Sequence, residues 1–415
     1  MSVRKRKWTT AKGEKKEAWV ADYTDQTGKR HLKTFDRKKE ADAYLAKTKV
    51  EVKDGVHTAD SLSVTVAEAA DLWLKKCAAD ELERATVTAY EQHVRLHIVP
   101  YLGRVKLSRL TAPAIREFED NLRQGIPAPG ADEGKARSPA MAKKIMASLG
   151  SILGEAQERG LVSRNVASDL RTRRKRGKQK QQEARHNGKL KVGVDIPTPD
   201  EIRAIANQAS GRWRPFLLAA IFTGLRASEL RGLKWSNIDF DKSELHVCQR
   251  ADRYKEIGSP KSGRGHRSVP MPPIVKNTLR EWKLACPKSK LDLVFPTGTG
   301  EVEFHSNIVK RGFMPVQIEA GVTLPAQDTD RKLILDKDGK PIVTAKYTGL
   351  HALRHFYASW CINRKADGGL ELPPKLVQER LGHSTIMMTM DTYGHLFPRM
   401  DDADELAQAE RVLLG

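Results

Sequence analysis

One tyrosine near the end of the chain, Tyr393, stands in Asp391-Thr392-Tyr393-Gly394-His395, shortly after Leu381-Gly382-His383-Ser384. A phenol oxygen becomes a nucleophile as it gives up its proton, and an unassisted phenol holds that proton to a pKa of about 10. It needs a group to take the proton and fixed positive charge around whatever it attacks. Three other segments offer both: Thr223-Gly224-Leu225-Arg226-Ala227-Ser228-Glu229-Leu230, Pro260-Lys261-Ser262-Gly263, and His351-Ala352-Leu353-Arg354-His355. Arg226 and Arg354 are permanently charged planar forks that match the non-bridging oxygens of a phosphodiester. Lys261, in a turn between two strands, is the candidate general acid for a departing oxygen, although Lys255, Arg264 and Arg267 crowd the same stretch. His351 and His383 are candidates for hydrogen bonding to phosphate and for moving protons. His355 is expected either to pack behind them or to support them from the layer beyond, and Glu229 to orient Arg226 or cap a helix. The chemistry such a set could perform is metal-free cleavage and rejoining of a phosphodiester through a phosphotyrosine.

Each residue also has a plainer reading. A single arginine is more often a salt-bridge partner, and Tyr393 could simply pack against Leu396 and Phe397. His351 and His355 are spaced to share a metal on one helix face, but Ala352 occupies the position of the base in an HExxH motif. No carboxylate motif supplies a third ligand, so neither metal nor cofactor is expected. Tyr393 is the sole tyrosine after Tyr357, which leaves the nucleophile without a rival.

The bulk of the chain agrees with a phosphate-bearing partner. Its 415 residues predict two or three domains, and its formal net charge of +21 points first to nucleic acid. No apolar run is long enough to span a membrane, and the basic Arg4–Lys7 cluster, lacking the apolar stretch of a signal peptide, reads as a solvated tail. The four cysteines form no CxxC pair, which fits a reducing, cytoplasmic setting without structural zinc. No GxxxxGK[ST] loop is present to support ATP-driven chemistry.

The elements that must position these residues fall into five stretches. Residues 1–58 predict a small α+β unit: strands at Ala18–Tyr23 and His31–Phe35 around a turn, then a polar helix from about Arg37 to Val52. Residues 62–172 predict a helical domain. Thr65-Val66-Ala67-Glu68 is a capping box, and stripes follow at Ala69, Leu72, Trp73 and Cys77, at Val87, Tyr90, Val94 and Ile98 before Pro100, at Ile115, Phe118 and Leu122, and at Ile145 through Ala156. Lys143, Lys144 and Arg95 lie on its polar faces, the two lysines being candidate DNA contacts. Residues 173–194 form a basic linker whose Arg173, Arg174, Lys175 and Arg176 would gain from counterion release along DNA. Residues 195–400 predict a mainly α, mixed α/β domain with a buried helix at Phe216–Phe222, strands at Asn237–Phe240, Glu244–Cys248 and His266–Pro270, and a hairpin within 325–346. Residues 401–415 predict a short acidic tail helix.

The motifs around Arg226, His351/Arg354, His383 and Tyr393, in that order and with a lysine between the first two, resemble the signature of the tyrosine recombinase (phage integrase) family. The resemblance covers the second half of the chain, extends to the helical middle as a core-site DNA-binding domain, and reaches the first 58 residues as an arm-type DNA-binding module. It implies a multidomain fold with catalytic residues Arg226, Lys261, His351, Arg354, His383 and the nucleophile Tyr393. It also implies a site-specific recombinase that integrates and excises a prophage or mobile element through a 3′-phosphotyrosine. The partners it implies are double-stranded attachment sites, three further copies of the chain in a tetramer on DNA, and accessory DNA-bending or excisionase proteins. The alternatives are a type IB topoisomerase-like relaxing enzyme, a catalytically silent DNA-binding protein, and, more remotely, a metal-dependent nuclease. The hairpin within 325–346 is longer than the connection many relatives have before His351.

Overall fold

The structure is a computed structural model that describes residues 1–9, 15–25, 28–55, 57, 59–60, 63–172, 189–260, 263–328, 332–398 and 403–414. Lys261, Arg173, Arg174, Lys175 and Arg176 lie outside the described residues. The chain divides into two compact units, Met1–Gly177 and Lys178–Gly415.

The first unit opens with an antiparallel sheet of β1 (Ser2–Thr9), β2 (Lys15–Thr24) and β3 (Arg30–Phe35), in that order. The Arg4–Lys7 cluster is therefore a strand rather than a tail: β1 pairs along its full length with β2, from Ser2 opposite Asp22 to Thr9 opposite Lys15. Its side chains are almost all exposed, so no apolar alternation marks it in the sequence. Backbone pairing holds it, aided by cross-strand ions such as Lys5–Glu17 at 2.7 Å. Helix α1 (Lys38–Lys53) packs on the sheet and buries Ala41 and Thr48.

A helical bundle follows: α2 (Val66–Ala79), α3 (Arg84–His93), α4 (Ala112–Gln124), α5 (Pro139–Glu158) and α6 (Val166–Thr172). The capping box forms as its sequence requires, with the Glu68 carboxylate accepting from Thr65 N at 2.7 Å and Thr65 Oγ1 accepting from Glu68 N at 3.3 Å. Thr111 and Ser138 cap α4 and α5 more simply, each hydroxyl accepting from the backbone N–H three residues on, of Ala114 and Met141. Trp73, Phe118, Leu122, Ile145, Leu149 and Ile152 form the core of the bundle. Pro100 does not end the second stripe. The chain passes through a π turn at Val94–Ile98 into a short helix, Val99–Leu102, whose first turn holds the proline where its missing N–H costs no bond.

The second unit begins with α7 (Pro199–Gln208) behind a second capping box, Thr198 with Glu201. Helix α8 (Trp213–Thr223) buries Pro215 through Ile221 and is the spine of the main apolar cluster. A short helix α9 (Ala227–Arg231) leads to an antiparallel sheet in which β4 (Ile238–Asp239) pairs with β5 (Glu244–Val247). Strands β6 (Arg250–Ala251) and β7 (Ile257–Gly258) make a side hairpin, and β8 (Arg267–Pro270) returns to pair with β5. Beyond α10 (Pro273–Ala285), the expected hairpin appears as β9 (Thr323–Pro325) against β10 (Val343–Ala345), with a further bridge between Leu335 and Pro341. The unit then runs through α11 (His351–Ile362), α12 (Pro374–Leu381) and α13 (Ile386–Tyr393), and α14 (Ala403–Leu414) lies at the end. No described helix is long and apolar enough to cross a membrane.

Candidate active site

Two glycines in left-handed conformation shape the site. Gly224, at φ +61°, ends α8 where an added Cβ would lie 2.2 Å from the Tyr357 ring. Only glycine turns the chain there, and the turn sets Arg226 at the N-cap of α9. Gly382, at φ +62°, ends α12 and turns the chain toward His383 and α13.

Arg226 donates from Nη1 to Glu229 Oε1 at 2.9 Å and from Nη2 to the Gly382 carbonyl at 3.1 Å. Its backbone N–H reaches Glu229 Oε2 at 2.8 Å, completing a cap on α9. About a third of its side chain faces solvent. Arg354, on the first turn of α11, is buried, 2% exposed, and has no carboxylate on it. Its Nη1 donates to the Gly224 carbonyl and its Nη2 to the Leu381 carbonyl, both at 2.5 Å. Two anchors leave three of a guanidinium's five N–H groups for another acceptor. Burial, then the charge of Arg226, lowers its pKa from the ordinary arginine value.

Tyr393, at the last turn of α13, is 1% exposed and packs with Tyr357, Ala358, Cys361, Val377 and Leu381. Its phenol shares a 2.8 Å hydrogen bond with His355 Nδ1. Burial pushes the phenol up to about 12, against the pull of Arg354 and Arg226. Burial, with His351 and Arg354, brings His355 down to about 4, so its imidazole is neutral at pH 7. The rings of His351 and His355 meet edge to face, centroids 4.7 Å apart. His351 shows an edge to solvent, yet the protein enclosing its other side, with Arg354 and Arg226, also lowers its pKa. His383 lies parallel to the Tyr393 ring, 6.2 Å between centroids and 4° between planes. Its Nδ1 pairs with Thr389 Oγ1 at 2.9 Å, and the buried Gln378 side chain holds its carbonyl at 3.0 Å. Burial, then Arg354 and Arg226, brings it down to about 3.

Five of the six proposed catalytic residues thus gather around the α8–α9 turn, the start of α11 and the α12–α13 turn. The sixth, Lys261, is outside the described residues. Lys143 and Lys144 are exposed side by side on α5 in the other unit. Of the two readings the sequence leaves for His355, packing or support, its bond to the phenol favours support and brings it closer to the chemistry than expected. The available signal was its spacing, one helical turn from His351 on the same face. Arg267 was set aside as a rival to Lys261, but its buried guanidinium grips Glu229 at 2.8 and 3.1 Å. Burial alone would raise the Glu229 carboxyl; the hydrogen bonds and charge of Arg267, with Arg226, hold it down to about 2. Beside this group a cavity of about 290 Å³ is lined by Arg264, His266, Lys375, Glu379 and His383, among others.

The comparisons with known proteins agree with this geometry. Residues 196–400 match the phage integrase family, and residues 65–122 match the phage integrase N-terminal SAM-like domain. The chain belongs to the phage integrase family, whose catalytic members are tyrosine recombinases. It is 28% identical over 388 residues to a XerC-like tyrosine recombinase of Caldanaerobacter subterraneus, covering 90% of each protein. It is 23% identical to the ICEBs1 integrase of Bacillus subtilis over 75% of each. In fold it is similar to the Tn1549 transposon integrase, solved with a circular intermediate DNA, at a TM-score of 0.57 and 18% identity over 84% of this chain and 100% of that one. A lambda integrase dimer bound to a COC′ core site gives 0.53 and 19% over 95% and 97%.

Proposed function

We propose that this chain is a site-specific DNA integrase that cleaves and rejoins DNA by transesterification at Tyr393. The observation that carries the reading is the Tyr393–His355 hydrogen bond beside two anchored arginines. The phenol oxygen attacks the scissile phosphorus, a P–O bond forms to Tyr393, and the bond to the 5′ oxygen breaks. A phenol held up to about 12 does not release its proton in advance to an imidazole held down to about 4. The proton therefore passes to His355 Nδ1 as the P–O bond forms. Negative charge then grows on the non-bridging oxygens, within a group that Arg226 and Arg354 already hold in place. The 5′ oxygen leaves with a proton, for which Lys261 is the proposed donor. The phosphotyrosine retains the energy of the phosphodiester, so the reverse attack by a 5′ hydroxyl rejoins a strand without ATP.

In this reading residues 1–58 contact arm-type DNA, the bundle at 62–172 contacts the core site through residues such as Lys143 and Lys144, the 173–194 linker follows the backbone, and residues 195–400 do the chemistry. A tetramer on two attachment sites, aided by DNA-bending or excisionase proteins, would exchange the strands of a prophage or mobile element. The test uses a nicked suicide duplex carrying the attachment site, from which the cleaved fragment diffuses away. Wild-type protein accumulates a covalent adduct, while Tyr393→Phe binds the duplex and forms none. An adduct of normal yield with Tyr393→Phe would sink the mechanism.

A further inference from the structure

The guanidinium of Arg267 touches none of the atoms proposed to react, yet every anchor of the phosphate-binding arginines except the Gly224 carbonyl leads to it. Its Nη2 and Nη1 donate to Glu229 Oε2 and Oε1 at 2.8 and 3.1 Å, and those same two oxygens receive the backbone N–H and Nη1 of Arg226. Its Nε donates to the Arg380 carbonyl at 2.8 Å, and Nη1 also reaches the Gly265 carbonyl at 3.1 Å. Arg380 precedes Leu381 and Gly382, whose carbonyls hold Arg354 and Arg226. The side chain of Arg267 is 6% exposed and that of Glu229 is 3% exposed. Gly382 is the slot it passes through: a Cβ there would sit 2.8 Å from Arg267 Nη1 and 3.0 Å from Cζ. The glycine of the Leu381-Gly382-His383 motif is thus required twice, by its left-handed φ and by the arginine beneath it.

We propose that Arg267 is a positioning residue for Arg226, acting through Glu229 to keep that guanidinium aimed and electrostatically available to phosphate. A buried carboxylate that served Arg226 alone would draw its charge away from an incoming phosphate. With Arg267 sharing the carboxylate, three guanidinium groups stand against one anion, and the local field stays positive. The same guanidinium fixes the end of α12, so the carbonyl that orients Arg226 from the other side is set by the same residue.

This inference rests on the transesterification reading, and the experiment separates the two. The full-length protein and its Arg267→Gln and Arg267→Lys variants are compared on nicked suicide duplexes with either an ordinary scissile phosphate or a neutral methylphosphonate in its place. Binding affinity and thermal unfolding are measured in parallel. On the ordinary phosphate, adduct formation by Arg267→Gln is expected to fall on the order of 10²-fold. Arg267→Lys, which keeps the charge but not the fork, falls about 10-fold. Duplex affinity stays within about 3-fold for both, since neither change removes a proposed DNA contact. On the methylphosphonate, which has less charge to neutralise, both deficits shrink at least about 5-fold relative to wild type. Equal deficits on the two substrates would mean that Arg267 is merely structural and would overturn the proposal, as would wild-type rates in both variants. Should Arg267→Gln unfold, the two substrates with Arg267→Lys decide the question alone. Absence of any adduct with the wild-type protein would instead overturn the transesterification reading itself.

Discussion

The helical bundle and the candidate active site bury charge in opposite ways. In the helical bundle the buried groups are carboxylates. Glu155, 6% exposed, meets Lys76 and Arg159 at 2.7 Å each, and Glu119 meets Arg123 at 2.7 Å. Their cations all stand well out in water, at 39–44% side-chain exposure. At the candidate site the cations themselves are inside, although the same unit also holds one pair of the bundle's kind, buried Glu303 with the more exposed Arg212. Arg354 is held by two carbonyls and no acid, and Arg267 shares one carboxylate with Arg226. A buried acid tied to a surface cation is complete as it stands. A buried arginine anchored only by carbonyls keeps a charge that nearby Glu229 offsets only in part, at a real desolvation cost. That imbalance is tolerable in a site built to receive an anion, and the gathering of three guanidinium groups around one carboxylate distinguishes it from a lone buried arginine such as Arg231, held by the Glu303 and Ala251 carbonyls.

The strongest way to break this contrast is to remove the two cations proposed to bind phosphate separately. Arg354→Ala and Arg226→Ala should each lower the adduct-forming rate on the order of 10²–10³-fold. Their stabilities should diverge. Arg354→Ala leaves the Gly224 and Leu381 carbonyls unpaired in the interior and should cost about 2–4 kcal/mol. Arg226 is partly solvated, and Glu229 keeps Arg267 without it, so Arg226→Ala should change stability by less than about 1 kcal/mol. Chemical denaturation alongside the suicide-duplex assay reads both. Equal stability losses would show that the two arginines are embedded alike, and undiminished cleavage in either variant would remove it from the site.

What the sequence made legible was the part that depends on residue type and spacing. Arg226, His351, Arg354, His383 and Tyr393 could be picked out because their motifs stand in the order of the tyrosine recombinase signature, and phosphodiester chemistry explains why forks, imidazoles and a phenol occur together there. The helical stripes and the Thr65–Glu68 capping box were equally readable, since period and cap are local properties. What escaped depends on contacts between distant segments. His355 looked like a packing or supporting residue because its partner, Tyr393, lies 38 positions away and only the α12–α13 turn brings them together. Arg267 looked like one more cation near Lys261 because its role exists only once Gly382 passes over it. Strand β1 was hidden for a different reason: it is exposed on nearly every residue, and an edge strand held by its backbone leaves no period to read.

A smaller effect is expected from the bundle, and it sharpens the contrast from the other side. Glu155→Ala deletes a buried acid, returns Arg159 to water and leaves Lys76 with Glu158. It should cost about 1–3 kcal/mol of stability while leaving the adduct-forming rate at saturating protein within about 2-fold of wild type. A loss of cleavage comparable to that of Arg226→Ala would mean that the bundle's ion pairs are part of the chemistry, and the distinction between bundle and site would fall.

The smallest effect is a difference in how steeply the units respond to acid. His383 and His355 are held down to about 3 and about 4 by burial and by neighbouring cations, chiefly Arg354 for His383 and His351 with Arg354 for His355. In the bundle, burial with Lys144 lowers His93, and burial with Arg137 lowers His97. An unfolded histidine titrates near 6.5. Above that pH neither state is protonated, and these side chains leave stability unchanged. Below it the unfolded chain binds protons that the folded one refuses, so stability falls with pH until the folded values are reached. Glu229, held down to about 2, adds its own loss only below the ordinary carboxyl range near 4.5, so the interval from pH 7.5 to 5 isolates the histidines. Across it the unfolding temperature should drop on the order of 5 °C. His383→Asn should flatten that slope more than His93→Asn, because His383 is ringed by Arg226, Arg267 and Arg354 while Lys144 is the cation acting on His93. A slope flattened equally by the two variants would show that the catalytic cluster resists protonation no more strongly than an ordinary buried histidine. In that case the excess positive field inferred around Tyr393 would not exist.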